Sequence, residues 1–187
     1  MKTTIGVCYP VAAVLNEETN TYEKGFVLGG AIKESISISK NDVKLYGDDK
    51  VVASDQSFKE GDGTLDTTGI EDENVAILLG HEVSTEGEVI SKTSDIAPYV
   101  GHGFYAKNYQ NKYRAVFFVK TQFSEPNTEN ETKGESTSYK SPSLTYKVLE
   151  GKDRIWKREK TFDTEADAIE WLNECANIEG STETDPE

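Results

Sequence analysis

The run from Tyr113 to Phe123 constrains the fold more than any other part of the chain, because its centre is apolar on both sides. With the period of two that a β-strand imposes, one face carries Tyr113, Ala115, Phe117, Val119 and Phe123, and the other carries Val116 and Phe118. A strand that is apolar on both faces needs cover on both faces. The run is therefore predicted to be an interior strand of a sheet.

Neighbouring segments predict that this strand belongs to an antiparallel, mainly β fold. A strand from Gly103 to Lys107 turns at residues 108–111 and returns along the Tyr113 run. Another stretch alternates between one face with Ile32, Ile36 and Ile38 and a second face with Lys33, Ser35 and Ser37. That alternation predicts a half-buried strand.

A second hairpin is predicted after residue 42. The apolar stretch 43–46 is followed by the turn residues Gly47, Asp48 and Asp49, and the chain returns along Val51 and Val52. The turn residues separate two short apolar runs of similar length. We therefore expect a small β-hairpin at residues 43–52.

The polar segment 127–143 is predicted to be a loop that leads into an amphipathic strand through Tyr139, Leu144 and Tyr146. Pro142 lies within this stretch and has no backbone N–H to donate to a ladder. We therefore expect the strand to be bulged or to lie at a sheet edge.

Two helices are predicted. Residues 72–79 combine an acidic start with a compact apolar centre and end at Gly80, which favours a short helix. After a short strand at 154–158, Thr164 is predicted to cap a helix from Glu165 to Asn177. That helix places Ile169, Leu172 and Ala176 on one face.

The charge distribution suggests three segments. From Asp163 onward every charged side chain is acidic. We expect a β-domain at residues 1–150, a strand and helix appendage at 151–178, and a disordered acidic tail at 179–187.

The formal net charge of −14 and a pI near 4.6 argue against binding to nucleic-acid phosphates, which depends on clustered Lys and Arg. Apolar runs such as 76–79 are far shorter than the roughly 20 residues that span a bilayer, so no membrane insertion is expected. Cys8 and Cys175 stand at opposite ends of the chain and form no spaced motif.

No residue pattern predicts a catalytic, cofactor or metal site. His81 and His102 lie in separate predicted elements, and packing or solvent contact is the expected role of each. Asp48, Asp49 and Asp62 are typical turn formers and do not follow a calcium-loop pattern. Gly101 and Gly103 lack the context of a phosphate-binding loop, so close packing or backbone flexibility is expected there. We do not expect an enzyme.

The order of these elements resembles the major tail proteins, or tail tube proteins, of siphophages that infect Gram-positive bacteria. The similarity rests on the strands Gly-His-Gly-Phe-Tyr-Ala-Lys (101–107) and Lys-Tyr-Arg-Ala-Val-Phe-Phe-Val-Lys (112–120), and on Phe-Ser-Glu-Pro (123–126). Further similar stretches are 132–136, 141–144, 36–39, 45–49, 63–65 and 75–80. The resemblance covers about residues 3–148.

The resemblance implies an antiparallel β-sandwich, barrel-like in form, with a flanking helix. It also implies a subunit that forms six-membered rings, which stack into a tube around a tape-measure protein, and a lumen through which DNA passes at ejection. Tail tip, distal tail and tail terminator proteins are the other implied partners. The implied locations are the virion tail and, during assembly, the host cytoplasm.

Two groups of contact residues are predicted. Contacts between subunits are expected at Tyr46, Asp48, Asp49, Leu65, Tyr139, Leu144 and Tyr146, and anchors of the C-terminal helix at Trp156, Ile169, Trp171 and Leu172. Two alternative functions remain open at this point. One is a tube subunit of a phage-derived bacteriocin or injection device, and the other is a monomeric β-sandwich that decorates a particle or binds a partner.

Overall fold

The computed structural model describes residues 4–47, 50–126 and 141–179. The strands are β1 (Thr4–Asn16), β2 (Thr21–Tyr22), β3 (Phe26–Val27), β4 (Ala31–Lys40), β5 (Val43–Gly47), β6 (Lys50–Asp55), β7 (Phe58–Thr67), β8 (Glu82–Val83), β9 (Val89–Ile90), β10 (Val100–Asn108), β11 (Tyr113–Ser124), β12 (Ser143–Val148) and β13 (Lys157–Phe162). The helices are α1 (Asp72–Leu79) and α2 (Glu165–Ala176), and a short 3-10 helix spans Lys152–Arg154.

Strand β11 is the centre of the sheet, as its two apolar faces predicted. One edge pairs with β10, and the other edge is divided between two strands. Residues 113–118 pair with β13, whereas residues 121–124 pair with β12. Four consecutive side chains, at 115–118, are buried. The prediction of an interior strand is confirmed.

The described strands form one large antiparallel sheet in the order β2-β1-β10-β11-β12-β7-β4, with β13 and β3 attached to β11 and β1. Strand β4, at the far end, packs back against β1, but the two strands share no hydrogen-bond ladder within the described residues. The sheet thus folds over itself without closing into a barrel. The predicted mainly β antiparallel fold with two helices is confirmed.

Two cores lie on opposite sides of β11. The inner core, between the folded halves of the sheet and α1, includes Leu65, Phe104, Phe118 and Tyr146. The outer core lies under α2 and includes Phe117 together with Leu172, Cys175 and Ala176 of that helix. Alternate side chains of β11 therefore enter different cores.

A bulge in β11 changes which core its last aromatic side chain enters. Val100 pairs with Thr121 and His102 pairs with Phe118, so three steps along β11 match two steps along β10. The extra residue reverses the alternation. Phe123 consequently joins Phe118 in the inner core, and the prediction that it shares a face with Phe117 is wrong.

A second irregularity alters the predicted face of β4. The pairing with β7 shifts between Ala31 and Lys33, and the Ile32 side chain is 50% exposed. Beyond the shift, Glu34, Ile36 and Ile38 are partly buried, whereas Ser35 and Ser37 are exposed. The prediction that Ile32 shares the buried face is therefore wrong, and a carboxylate occupies an inward position instead.

Strand β12 is not an edge strand, contrary to the prediction for this segment. It pairs with β11 on one side and with β7 on the other. The reason is that Pro142 precedes the strand, so its missing N–H is not needed in either ladder. The Pro142 carbonyl still accepts a hydrogen bond from the Thr67 N–H at 3.0 Å.

Both helices form where predicted. Gly80 ends α1 in the left-handed conformation, and its N–H reaches the carbonyls of the last turn. At the start of α2 the Thr164 hydroxyl accepts a hydrogen bond from the Asp167 N–H at 3.2 Å. Asn177 ends α2 with a φ of 51°.

The strand before α2 begins later than predicted. Asp153 and Arg154 have φ values of 59° and 61°, which a β-strand does not allow, so the strand starts at Lys157 instead of Arg154. The division of the chain near residue 150 stays a prediction. The segment after it adds one strand and one helix to the same sheet and outer core.

Gly63 is expected to be intolerant of any side chain. A Cβ atom there would overlap the Tyr146 ring, which lies directly across it, so Gly63→Ala should lower the free energy of unfolding by about 1–3 kcal/mol. The matched control is Gly69→Ala, since a Cβ at that position meets no atom within 4 Å. Urea unfolding of both variants measures the difference, and equal midpoints would contradict the packing described.

Candidate functional site

The predicted subunit-contact residues have three different locations. Tyr46 lies in β5 and pairs with Val51. Asp48, Asp49 and Tyr139 lie outside the described residues. Leu65, Leu144 and Tyr146 are 0%, 1% and 2% exposed and pack inside the inner core. Their side chains therefore contact residues of their own chain, and in this conformation they are not available to a neighbouring subunit.

Tyr46 and Leu65 belong to one long β-ribbon, which is formed by β4, β5, β6 and β7. Strand β4 continues into β5 and β6 continues into β7, and the Asn41 N–H donates to the Ser57 carbonyl at 2.9 Å where the two parts join. Beyond that junction β5 and β6 pair with each other as a separate two-stranded sheet. At 3.3 Å per residue the hairpin extends the ribbon by about 16 Å.

An isolated two-stranded hairpin is only marginally stable in water, because it has no third strand or layer to bury its apolar side chains. The β5–β6 hairpin carries Val43, Leu45, Val51 and Val52 in its sequence. Contact with another molecule would therefore add to the stability of this hairpin.

The predicted anchors of the C-terminal helix divide between the two cores. Leu172 is fully buried in the outer core, and Ile169 and Trp171 pack at its border. Trp156 instead packs against the inner core, where its ring stacks on Phe58 at 4.6 Å. Trp156 lies just before β13, which begins at Lys157. Its side chain is therefore not bound by the alternating side-chain directions of that strand and does not point toward α2.

A buried polar cluster joins three strands in the inner core. The Tyr146 hydroxyl, from β12, donates a hydrogen bond to Oε1 of Glu34 on β4. Oε2 of Glu34 lies 3.7 Å from Nε2 of His102 on β10. The Glu34 and His102 side chains are 3% and 0% exposed. A carboxylate and an imidazole are thus placed side by side, and both are almost fully buried.

Two glycine positions make this cluster possible. Gly63 pairs with Tyr146 across β7 and β12, and because it has no side chain the tyrosine ring can lie over β7 and reach β4. On β10, a Cβ at Gly101 or Gly103 would overlap Phe117, so that face is left free for aromatic packing while His102 points the other way. The expectation of close packing at the two β10 glycines is confirmed.

The environment of the cluster is aromatic. The His102 ring lies 5.0 Å from the Tyr146 ring and 5.7 Å from the Phe123 ring, edge to face in both pairs. Burial, followed by the charge of Glu34, raises the pKa of the Tyr146 hydroxyl far above its usual value. The phenol therefore remains a hydrogen-bond donor at every pH at which the protein would be used.

Glu34 also lines a cleft of about 330 Å³ between β4 and the β10–β11 face. Its walls are mostly apolar and include Ile36, Phe104 and Trp156. Arg114 and Lys157 lie at the same cleft, and both cations are paired with Glu159, at 2.6 Å and 2.7 Å. The cleft therefore connects the buried cluster with the surface.

Sequence reasoning missed Glu34 as a functional candidate. A signal was present, because Glu34 has the same parity as Ile36 and Ile38 and so occupies an inward position of an alternating strand. The partners of Glu34 could not be identified from the sequence, because Tyr146 and His102 are more than 60 residues away from it in the chain.

Within the described ranges, no group of three or more His, Cys, Asp or Glu side chains could hold a metal ion. No described helix is long and apolar enough to cross a membrane.

His81 forms a second polar cluster, just after α1. Its Nδ1 lies 2.8 Å from Oδ2 of Asp95, and its Nε2 lies 3.2 Å from Oε2 of Glu125. The hydrogen bond to Asp95, supported by Glu125, raises the pKa of His81 above its usual value. The Lys92 N–H and His81 lower the pKa of Asp95. Both ring nitrogens face carboxylates, which favours the imidazolium form.

This cluster gives a pH-dependent contribution to stability. The raised His81 pKa means that its contribution is fully present below about pH 6.5 and is lost as the pH rises through the folded-state value. The lowered Asp95 pKa gives a contribution that is present above about pH 4 and is lost as the pH falls through the folded-state value. The stabilisation is therefore greatest between about pH 4 and 6.5.

We expect His81→Gln to reduce the free energy of unfolding more at pH 5.5 than at pH 8.5. Urea titrations of wild-type and variant protein at both pH values measure the two differences. Equal differences at the two pH values would show that the imidazolium form contributes nothing.

Leu172→Ala should lower the free energy of unfolding by about 2–5 kcal/mol, because it empties a fully buried site between α2 and the sheet. The control is Glu174→Ala, an exposed position on the same helix, where a change within about 0.5 kcal/mol is expected. Chemical unfolding compares the two. If residues 151–178 were instead an appendage that does not contribute to the stability of the sheet, both variants would leave the unfolding of the sheet unchanged.

Comparison with protein-family models and with curated proteins gives no match to this chain. The resemblance to tail tube proteins therefore rests on the residues themselves.

Proposed function

We propose that this chain is a non-enzymatic structural subunit that assembles with copies of itself into stacked rings, forming a tube of the phage-tail type. The proposal extends the resemblance carried by residues 3–148 to the function of that family. In such a tube the chain would surround a tape-measure protein and later conduct DNA. Tail terminator, tail tip and distal tail proteins would be the other partners.

The β5–β6 hairpin is the observation that carries this proposal. It continues the β4–β7 ribbon beyond the large sheet, and its hydrogen bonds run between its own two strands. Such an element is expected to be only marginally stable in a monomer. Contact with a neighbouring copy would add the further strand or layer that a two-stranded sheet lacks.

A hairpin that projects from one side of a subunit and docks on a different surface of the next copy makes a heterologous contact. Repetition of a heterologous contact produces a closed ring if the rotation closes and a filament if it does not. One contact around the ring and another along the axis are sufficient for a tube. The fold supplies a projecting element suited to the first of these contacts.

The charge of the chain is compatible with a DNA conduit. The net charge of −14 disfavours attachment of DNA phosphates, so a polyanion could pass a wall of such subunits without being retained. The same charge keeps isolated subunits apart at low ionic strength. We therefore expect assembly to be promoted by salt.

Removal of the hairpin tests the proposal. In the variant, residues 43–55 are replaced by an Asn-Gly turn, which suits the antiparallel strands on either side. Wild-type protein, concentrated in 0.5 M salt, should give rings or hollow tubes in negative-stain electron microscopy and fast-sedimenting species. The variant should remain monomeric, because the contact surface is absent.

A matched control shortens the other small hairpin. Residues 84–88, between β8 and β9, are replaced by the same Asn-Gly turn, and assembly should be retained. Unfolding midpoints of all three proteins establish that the subunit itself is intact. Assembly of the hairpin variant as readily as wild type would contradict the proposed role of the ribbon. A wild-type protein that stays monomeric at every concentration and with a tail-tip initiator would favour a monomeric binding domain.

A further inference from the structure

The hydrogen bonds of His102 determine which of its nitrogens carries a fixed proton. Nδ1 lies 2.9 Å from the main-chain carbonyl oxygen of Val11, which can only accept. Nδ1 must therefore carry a hydrogen. In the neutral imidazole the other nitrogen, Nε2, would then present an unprotonated lone pair.

That lone pair faces a second acceptor. Oε2 of Glu34 lies 3.7 Å away, and among the described residues neither Oε2 nor Nε2 of His102 has a hydrogen-bond partner. Oε1 of the same carboxylate already receives the Tyr146 hydroxyl hydrogen. A neutral imidazole next to an ionised carboxylate would leave two buried acceptors facing each other, which is costly in a site of low polarity.

We propose that Glu34 and His102 form a buried proton-binding site that holds one proton between Oε2 and Nε2 in the folded protein. The two forms of the site are an imidazolium beside a carboxylate and an imidazole beside a carboxylic acid. Both contain the same number of protons, and in both the proton lies between the two facing acceptors and removes their repulsion. The proton is taken up when the chain folds.

The charged and titratable groups around the site are few. From β12 the Tyr146 phenol faces Glu34, and its raised pKa keeps it protonated. Arg114 of β11 and Lys157 lie at the cleft that Glu34 lines, and both are engaged by Glu159. The cleft provides the route by which the proton exchanges with solvent.

The position of the site gives the proton a structural role. Glu34 belongs to β4, the last strand of the sheet, which packs against β1 without a ladder between them. His102 belongs to β10 and is bonded through Nδ1 to β1. The shared proton therefore fastens the root of the ribbon to the opposite half of the sheet. If the proposed function holds, the same proton sets the direction in which the ribbon meets a neighbour.

The first test is the pH dependence of unfolding, measured in a His81→Gln background so that the other histidine does not contribute. Between about pH 7.5 and 8.5 the unfolded chain has an ionised Glu34 and a neutral His102, whereas the folded chain keeps one proton. The folding equilibrium constant should fall about tenfold per pH unit from this site. Cys175, whose pKa is raised by burial, adds a slope of the same sign.

Glu34→Gln in the same background provides the matched comparison. The glutamine amide can donate to Nε2 of a neutral His102 and can still accept from Tyr146, so no bound proton is needed. The pH dependence of the folding equilibrium of the Glu34→Gln protein should be weaker, by one bound proton, than that of the protein with Glu34 intact. The Cys175 contribution is common to both proteins and cancels in the difference. Equal slopes for the two proteins would overturn the proposal.

The second test uses the protein with Glu34 and His102 intact and does not depend on how the variants fold. Imidazole ¹⁵N and carboxyl ¹³C NMR at pH 7.5 should show either a doubly protonated His102 ring or a protonated Glu34. A singly protonated ring together with an ionised carboxylate would overturn the proposal. Both tests concern the monomer, so failure to form tubes would count against the proposed function and not against the proton site.

Discussion

The structure depends on one strand, β11, whose two faces are apolar and whose second edge is divided between two partners. The bulge between Phe118 and Thr121 rotates the alternation of side chains partway along the strand. Residues 113–118 pair with β13 and direct alternate side chains into the outer and inner cores, whereas residues 121–124 pair with β12 and place Phe123 in the inner core. A single strand thus contributes side chains to both cores, and large-to-small substitutions at its centre are expected to disrupt both cores together.

The inner core is unusual because it contains a carboxylate, an imidazole and a phenol. Gly63 gives Tyr146 room to cross β7, and the phenol then reaches Glu34 on the terminal strand of the sheet. Since β4 has only β7 as a hydrogen-bonded neighbour in the described sheet, this polar contact and the apolar packing beside it hold the strand against β1 and β10. The cluster therefore fixes the base of the ribbon from which the β5–β6 hairpin extends.

Local sequence signals were sufficient to predict which segments form strands and helices, but not which face of each strand is buried. The interior strand, the hairpin turn at 108–111 and both helix ends depend on nearby residues, and they were predicted correctly. The faces of Ile32 and Phe123 were not, because a bulge is set by the register of the partner strand. The two-sided pairing of β12 and the contact of Glu34 with His102 join residues distant in sequence, which no local pattern specifies. The predicted subunit contacts on described residues were assigned partly to core side chains, since an amphipathic strand does not reveal whether its apolar face is covered by the same chain or by another.

The central claim is that the β5–β6 hairpin is completed by another copy of the chain, and hydrogen–deuterium exchange measures this most directly. Exchange of the backbone amides at residues 43–47 and 50–55 should be fast in the monomer, where the hairpin is an isolated two-stranded sheet. In sedimented assemblies the same amides should be protected, while those of β10 and β11 should remain slow in both states. Exchange at the hairpin that is equally fast before and after assembly would contradict the account.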